Sequence, residues 1–547
     1  MRSRSIQIVG TLSILVMLVL IAAASSRAEV VVYPSAPGLP ASTEITGLTI
    51  NGTSVPVQML GQNVDNTNMV NFANFSCSGA LNVEITASAT ITSSIIRPKR
   101  FGIAGQRSGN KLTFTLPGPQ KLLIEINGYH HFCFFANPLE VNPPKQGDAG
   151  VTYYGPGAAN PGTITLSSNQ TVYLAGGAVV TARISGSGAS NVKVLGRGVL
   201  QGTVRVSNAT NMVVDGIIVY NTASSWTNTL TECNHSAYRN VKVISFPIPW
   251  GTDGINPVAC KYFTVDNCFI RSGDDCVAIK SWPSTRQSTD SITVVNCISA
   301  GINNNDGTTL GYELETDSVK NVLIKDNDYL YSRGGGATGG HSGFSIICDG
   351  PSWVENVRFE NIHCEEHVEV RNMELIVTYG TMWGSSTAGQ IGHIKNVYIK
   401  NCVWDNTGIP LKITGNDASH MVENVTFDGC RVGTKVLTST ADARFEINQF
   451  TKNIQFVNTN TGSIRETQQA PAAKIFEVIQ CPSTGDLRVR LGGQGSYDVR
   501  LISPAGQIVK SFAVAGGDCR IAVAESGVFL VKAEHNGVSQ IRQVVLR

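Results

Sequence analysis

The chain has almost no net charge: 42 Lys and Arg stand against 40 Asp and Glu over 547 residues. A protein with no global field of either sign cannot recruit nucleic acid or an acidic membrane surface electrostatically, so a neutral partner is expected. Metal-ligand spacing is missing too. Thirteen cysteines are present, but neither CxxC nor a paired Cys/His pattern accompanies them, which argues against a zinc framework. The glycine-rich stretch GGGATGGHSGF, which holds His341, is not followed by GK[ST] and is no phosphate loop. A lone histidine there is weak evidence for catalysis. No segment after residue 28 is apolar for long enough to span a bilayer. No cofactor and no metal is expected.

What is present is glycine, 55 residues of it, with asparagine punctuating many short apolar runs. This composition favours an all-β chain with many turns. Residues 1–28 read as an export signal: Arg2 and Arg4 are basic, the stretch from Ile6 to Ala24 is almost wholly apolar, and Ser26-Arg27-Ala28 suits cleavage. The mature protein is then expected to begin near Glu29 and to be secreted or held at the cell surface, an uncleaved anchor being the alternative.

One phrase recurs along the chain, a polar residue followed by a Val-rich alternating strand. It appears as NVKVLG, NMVVDG, NVKVIS, KYFTVD, SITVVN, NVLIKD, NVRFEN, NVYIKN, NVTFDG and NIQFVN at intervals of 20 to 40 residues. The alternation has period two, so the repeats are strands, and each can bury its apolar face only by stacking on the next. A constant strand phrase with variable intervals suits a right-handed parallel β-helix, whereas a propeller would demand more uniform blades. Cys268, Cys297, Cys402 and Cys430 each close such a phrase. They are expected to stack as small buried hydrophobes rather than pair as disulfides.

Residues 29–145 alternate around Gly/Pro/Asn turns and read as an N-terminal β-sandwich, with NPPKQGDAG from Asn142 to Gly150 leading into the solenoid of residues 146–467. QQAPAAK from Gln468 to Lys474 reads as a linker, and residues 475–547 as a small C-terminal β-sandwich.

Within the solenoid, WGTDGINP and SGDDCVAIKSW concentrate three aspartates, Asp253, Asp274 and Asp275. Like charges repel, so such a trio suggests a site rather than scaffolding. Asp253 and Asp274 are 21 residues apart with one strand phrase between them, which places them one coil, about 4.8 Å, apart. Successive residues of a strand face opposite ways, but Asp274 and Asp275 follow Gly273 and at a bend can both enter one groove. Glycoside hydrolysis needs one carboxylic acid to protonate the leaving oxygen and one carboxylate to activate water or attack the sugar. Crowded carboxyls can share protons unequally enough to supply both. A separation of roughly 6.5–9.5 Å would leave room for the water and predict inversion.

TDGINP followed by SGDDCVAIK at this spacing resembles the glycoside hydrolases of families 28 and 49, the polygalacturonases and dextranases. The resemblance implies a right-handed parallel β-helix that inverts configuration, with Asp274 as general acid and Asp253 and Asp275 as the carboxylates that activate water. The polygalacturonases carry Gly-His-Gly one coil after the paired aspartates and Arg-Ile-Lys later, which engage the acidic sugar. This chain reads NNDGTTLGYELETDSVKNV and HSGFSIICDG there. The stretch from Asn304 to Arg333 is more similar to the dextranase phrase, so a neutral glucan leads as substrate class and galacturonan follows.

Lys280, Trp250, Trp282, Tyr312, Glu313 and Glu315 are candidate substrate-binding residues. Lys280 could meet a hydroxyl or a carboxylate, or be a solvated lysine; the two tryptophans could stack on sugar rings or only pack; the other three sit one coil on, or in a polar turn. The last seventy residues resemble C-terminal sorting domains of exported bacterial proteins, which implies secretion machinery or cell-surface attachment as a partner; the usual Pro-Asn-Pro opening is absent, and a simple accessory β-module is the alternative. A lyase whose acids hold calcium, and a non-catalytic carbohydrate-binding or adhesive solenoid, remain as other readings.

Overall fold

A computed structural model describes residues 28–61, 69–246, 251–282, 284–285, 287–333, 341–368, 371–378 and 389–459, and seven strands between 476 and 546. The export-signal reading of residues 1–28, the linker reading and Trp250 therefore fall essentially outside the described residues. Apart from one short 3-10 turn at Lys99–Phe101, the regular structure described is entirely β.

The solenoid is a right-handed parallel β-helix built of two long sheets. One has 12 parallel strands, from Val151–Tyr154 to Thr451–Val457; the other has 20, from Gly157–Thr165 to Phe445–Ile447. In its middle, each coil gives one strand to the first sheet and two, separated by a bend, to the second. Lys261–Asp266 is followed by Phe269–Arg271 and Val277–Ser281, and Thr289–Val295 by Ile298–Asn304 and Thr308–Leu314.

The recurring asparagine has a backbone reason. Asn191, Asn211, Asn240, Asn321, Asn356, Asn396, Asn424 and Asn453 all sit at φ between 50° and 59°. Among residues with a side chain, asparagine tolerates that left-handed region best. Inside, parallel register stacks Val194, Val214, Tyr238, Val265, Val294, Ile324, Phe359, Ile399 and Phe427 into one column. None of these is more than 1% exposed, so each contributes roughly 1.5–3 kcal/mol of burial. Cys268, Cys297, Cys402 and Cys430 are buried beside this column and unbridged, as the repeated phrase predicts.

The N-terminal sandwich pairs a six-stranded sheet, with Val70–Cys77 and Phe132–Pro138 at its centre, with a five-stranded antiparallel one. It packs on the solenoid: Phe135 meets Phe269 edge-on at 5.2 Å, and the Lys121 ammonium donates to Asn267 Oδ1 at 2.9 Å. The contact turns on Arg97, whose guanidinium reaches Glu125 in the sandwich at 2.5 Å and Glu365 and Glu366 in the solenoid at 2.5 and 2.6 Å. The C-terminal unit by itself has two antiparallel sheets, of three and four strands. Val489, Tyr497, Val499, Leu501 and Val531 are buried within it.

Candidate active site

Parallel pairing sets Asn228, Ile255, Val277, Thr308 and Phe344 side by side on successive coils. Two residues before each lie Trp226, Asp253, Asp275, Asp306 and Ser342, so three aspartates occupy one equivalent position on three consecutive coils. Backbone bonds confirm the row: Gly254 N–H donates to the Asp275 carbonyl at 2.8 Å and Cys276 N–H to that of Asp306 at 2.9 Å.

The residue after each aspartate of the row is small, Gly254, Cys276 and Gly307, and Cys276 lies in the solenoid core. A Cβ at Gly254 would lie 2.4 Å from the core residue Ile270, and one at Gly307 2.5 Å from the ring of Tyr329. Alternation then turns the three aspartates outward. Asp274, on the bend between Phe269–Arg271 and Val277–Ser281, joins them.

An oxygen from each of Asp253, Asp274 and Asp275 lies within 4.8 Å of the others, closer than the 6.5–9.5 Å expected from the sequence. Asp253 and Asp275 are 3% exposed, whereas Asp274 is half-buried and is the member that meets solvent. Asp274 accepts the Gly251 N–H at 2.6 Å, Asp253 accepts the Asn256 amide at 2.9 Å, and Asp275 accepts the Asp306 N–H at 2.8 Å.

Burial dominates the electrostatics. Desolvation pushes the Asp253 carboxyl up to about 7, with Lys280 opposing and Asp274 reinforcing the rise. Asp275 is driven well above the usual carboxylate range by burial and then by Asp306, Asp274 and Asp253. Asp306 rises to about 7 for the same first reason, although Ser345 and Ser342 donate to it. These carboxyls titrate as one cluster. Folded-state values above unfolded ones mean that these groups bind more protons in the fold than in the coil, so the cluster's contribution to stability falls as pH rises from about 4 to about 7. Asp253→Asn removes one of these groups. It is expected to stabilise the protein above pH 7 by roughly 1–3 kcal/mol and to leave it unchanged below pH 4, read from denaturant midpoints across pH. An equal effect at both ends would contradict the shift.

Lys280 is not the solvated lysine that was one of its two readings. It is 3% exposed, 2.7 Å from Glu313 and 3.5 Å from Asp253, and it lies 4.5 Å over the Trp226 ring. Burial disfavours its charge, but Glu313, Asp253 and Asp275 outweigh that and hold it protonated. Trp282 stacks on Trp226 at 5.6 Å. Tyr312 is 4% exposed and meets His341 edge-on at 6.4 Å. Glu315 is tied through its N–H to Ser281, at the far end of the Val277–Ser281 strand.

Three residues of this region were not among the predicted ones: Trp226, Asp306 and His341. An oxygen of Asp275, one of Asp306 and a ring nitrogen of His341 also lie within 4.8 Å of one another. A separate groove on the other long sheet, lined by Asn321, Asn356, Asn396 and Tyr398, holds asparagine amides bonded along the ladder and none of the clustered aspartates.

The family model "Glycosyl hydrolases family 28" matches residues 176–363, which include all four aspartates and His341. A probable polygalacturonase of Arabidopsis thaliana is 29% identical over 105 residues, 18% of this chain and 21% of that protein. A probable polygalacturonase of Vitis vinifera is 60% identical over 30 residues, 6% of each chain. The matched segments thus span about a fifth or less of these curated relatives. Among solved structures, Dex49A from Penicillium minioluteum superposes with a TM-score of 0.51 at 15% identity, covering 78% of this chain and 96% of that one, which shows a shared fold. In its β-helix, and in the matched segment that carries the clustered aspartates, the chain resembles the parallel β-helix glycoside hydrolases of families 28 and 49.

Proposed function

We propose that the protein is an exported glycoside hydrolase that cleaves a polysaccharide with inversion, a neutral glucan before galacturonan. One observation carries this reading: three carboxylates meet on the outer face of the solenoid, and only one of them reaches solvent. In this reading Asp274 protonates the glycosidic oxygen. Asp253 and Asp275 hold a water and take its proton as it attacks the anomeric carbon from the opposite face. Inversion rests on the family resemblance, because the oxygens lie too close together for their spacing to argue it. Export rests on residues 1–28 and cell-surface sorting on the C-terminal unit; no helix among the described residues is long and apolar enough to cross a membrane.

Charge supports a neutral substrate. Beside the trio stand Asp306 and Glu313, while Lys280 is already engaged by Glu313 and Asp253. A uronate entering this cluster would meet repulsion, and among the described residues beside the trio Lys280 is not left over to offset it. Galacturonan is the second reading, favoured by the family 28 match and by the names of the plant relatives.

Reducing-sugar release from dextran and from polygalacturonate, with product anomers followed by NMR, tests both points. Faster release from dextran and a first-formed anomer opposite to the substrate linkage are expected. Release from polygalacturonate alone would overturn the neutral-glucan assignment, and retention would overturn the role of Asp253 and Asp275.

A further inference from the structure

Beside the catalytic trio, the two coils after that of Asp275 bring Asp306 and His341 to the same place. We propose that Asp275, Asp306 and His341 bind a first-row divalent cation, Mn2+ or Zn2+, and that its binding shuts off hydrolysis by occupying Asp275. The inhibitory half of this proposal rests on the hydrolase reading above; the site itself does not.

Three donors converge there, an oxygen from each carboxylate and a ring nitrogen, all within 4.8 Å of one another. Small movements of the side chains would bring them to the bond lengths of roughly 2.0–2.2 Å that such ions require. His341 gives the independent indication of a ligand. It is 7% exposed, so more than nine-tenths buried, and its Nδ1 has no hydrogen-bond partner. A buried polar nitrogen with nothing bonded to it is costly, and a cation bound there would remove that cost. Glu374 adds a second instance: it is fully buried, and its Oε2 is unpartnered while Oε1 accepts from Arg371. Register places Glu374 beside Ser345, whose hydroxyl donates to Asp306 Oδ2 at 2.7 Å, so Glu374 lies two coils beyond Asp306 with Ser345 between them.

The donor set selects the ion. Calcium and magnesium prefer all-oxygen shells, whereas an imidazole with carboxylates suits manganese or zinc. The carboxylates are also held before any ion arrives. Asp306 accepts from the Ser342 N–H and the Ser345 hydroxyl, and Asp275 from the Asp306 N–H. Such outer bonds orient ligands and strengthen binding. An ion on Asp275 withdraws the electron pair that would take the proton from water, so hydrolysis stops while the ion remains.

The test is a titration of the full-length protein with Mn2+ followed by electron paramagnetic resonance, a readout that needs no turnover and that buried thiols do not disturb. One Mn2+ per chain is expected, displaced by Zn2+. His341→Ala and His341→Gln should each weaken it at least about tenfold, and thermal unfolding checks that both variants fold. Asp253→Asn, outside the donor set, should bind close to wild type. No stoichiometric Mn2+, or binding lost in Asp253→Asn yet kept in both His341 variants, overturns the site. Sugar release unaffected by saturating Mn2+ overturns the inhibition. Failure of the hydrolase reading would look different: no sugar release without metal, with Mn2+ binding intact.

Discussion

Replacing Asp274 with asparagine is expected to lower sugar release by roughly 10²–10⁴-fold, the range that loss of a general acid removes, with the unfolding temperature unchanged. The expectation follows from where the side chain lies. Asp253 and Asp275 are 3% exposed, so neither can easily reach a glycosidic oxygen, whereas half-buried Asp274 can. Its Oδ2 accepts the Gly251 N–H at 2.6 Å, which fixes the carboxyl on the bend, and the Oδ1 of an asparagine can keep that bond. Asparagine cannot release a proton to a leaving alkoxide. Asp253→Asn should slow release as well, and the double variant should be little slower than the worse single one, because acid and base act in one step. Activity retained within threefold in Asp274→Asn would remove the acid assignment and leave the shared protons of Asp253 and Asp275 as the source.

The electrostatics sharpen the division of roles. The resemblance assigns base chemistry to two groups whose buried surroundings favour their protonated forms. A base of high proton affinity is a strong one once ionised. Lys280, held charged by Glu313 and the aspartates, is the group that keeps Asp253 ionisable. Its placement between Glu313 and Asp253 is buried, where a reading of AIK as the end of a strand would leave it in solvent.

Much of this was legible in the chain because a solenoid repeats its rules. The asparagine that opens most of the strand phrases marks a left-handed backbone position, and the alternating residues after it mark the buried column. Asp253, Asp274 and Asp275 stood out by crowding. Asp306 did not, since it lies 31 residues after Asp275 as a single acid among asparagines and threonines. A register signal was nonetheless present: Asp253-Gly254-Ile255, Asp275-Cys276-Val277 and Asp306-Gly307-Thr308 repeat an acid, a small residue and the start of a strand, and Ser342-Gly343-Phe344 continues it. His341 precedes that last instance and is brought to the aspartates by the stacking, which no local pattern could reveal. Trp226 escaped for the same reason, as it shares the row by register alone.

Arg97 carries the other large expected effect, on stability rather than chemistry. Arg97→Met is expected to destabilise the packed sandwich and solenoid by about 3–5 kcal/mol, the range for breaking a buried ion pair from one side. The arginine is fully buried, its partner Glu365 likewise, and 268 residues separate them in sequence. Removing the guanidinium strands the Glu365 carboxylate and withdraws partners from Glu125 and Glu366 at once. The Lys99 N–H still donates to Glu365, so some compensation survives. Restoring neutrality should therefore recover stability: Arg97→Met combined with Glu365→Gln is expected to regain more than half of the loss, because most of the penalty is an uncompensated buried charge rather than a missing attraction. Denaturant unfolding of wild type, both single variants and the double variant forms the cycle that measures this. Single and double variants of equal stability would mean that Arg97 acts through its packing over the Tyr331 ring, 5.0 Å away, and that charge has little part in holding the sandwich on the solenoid.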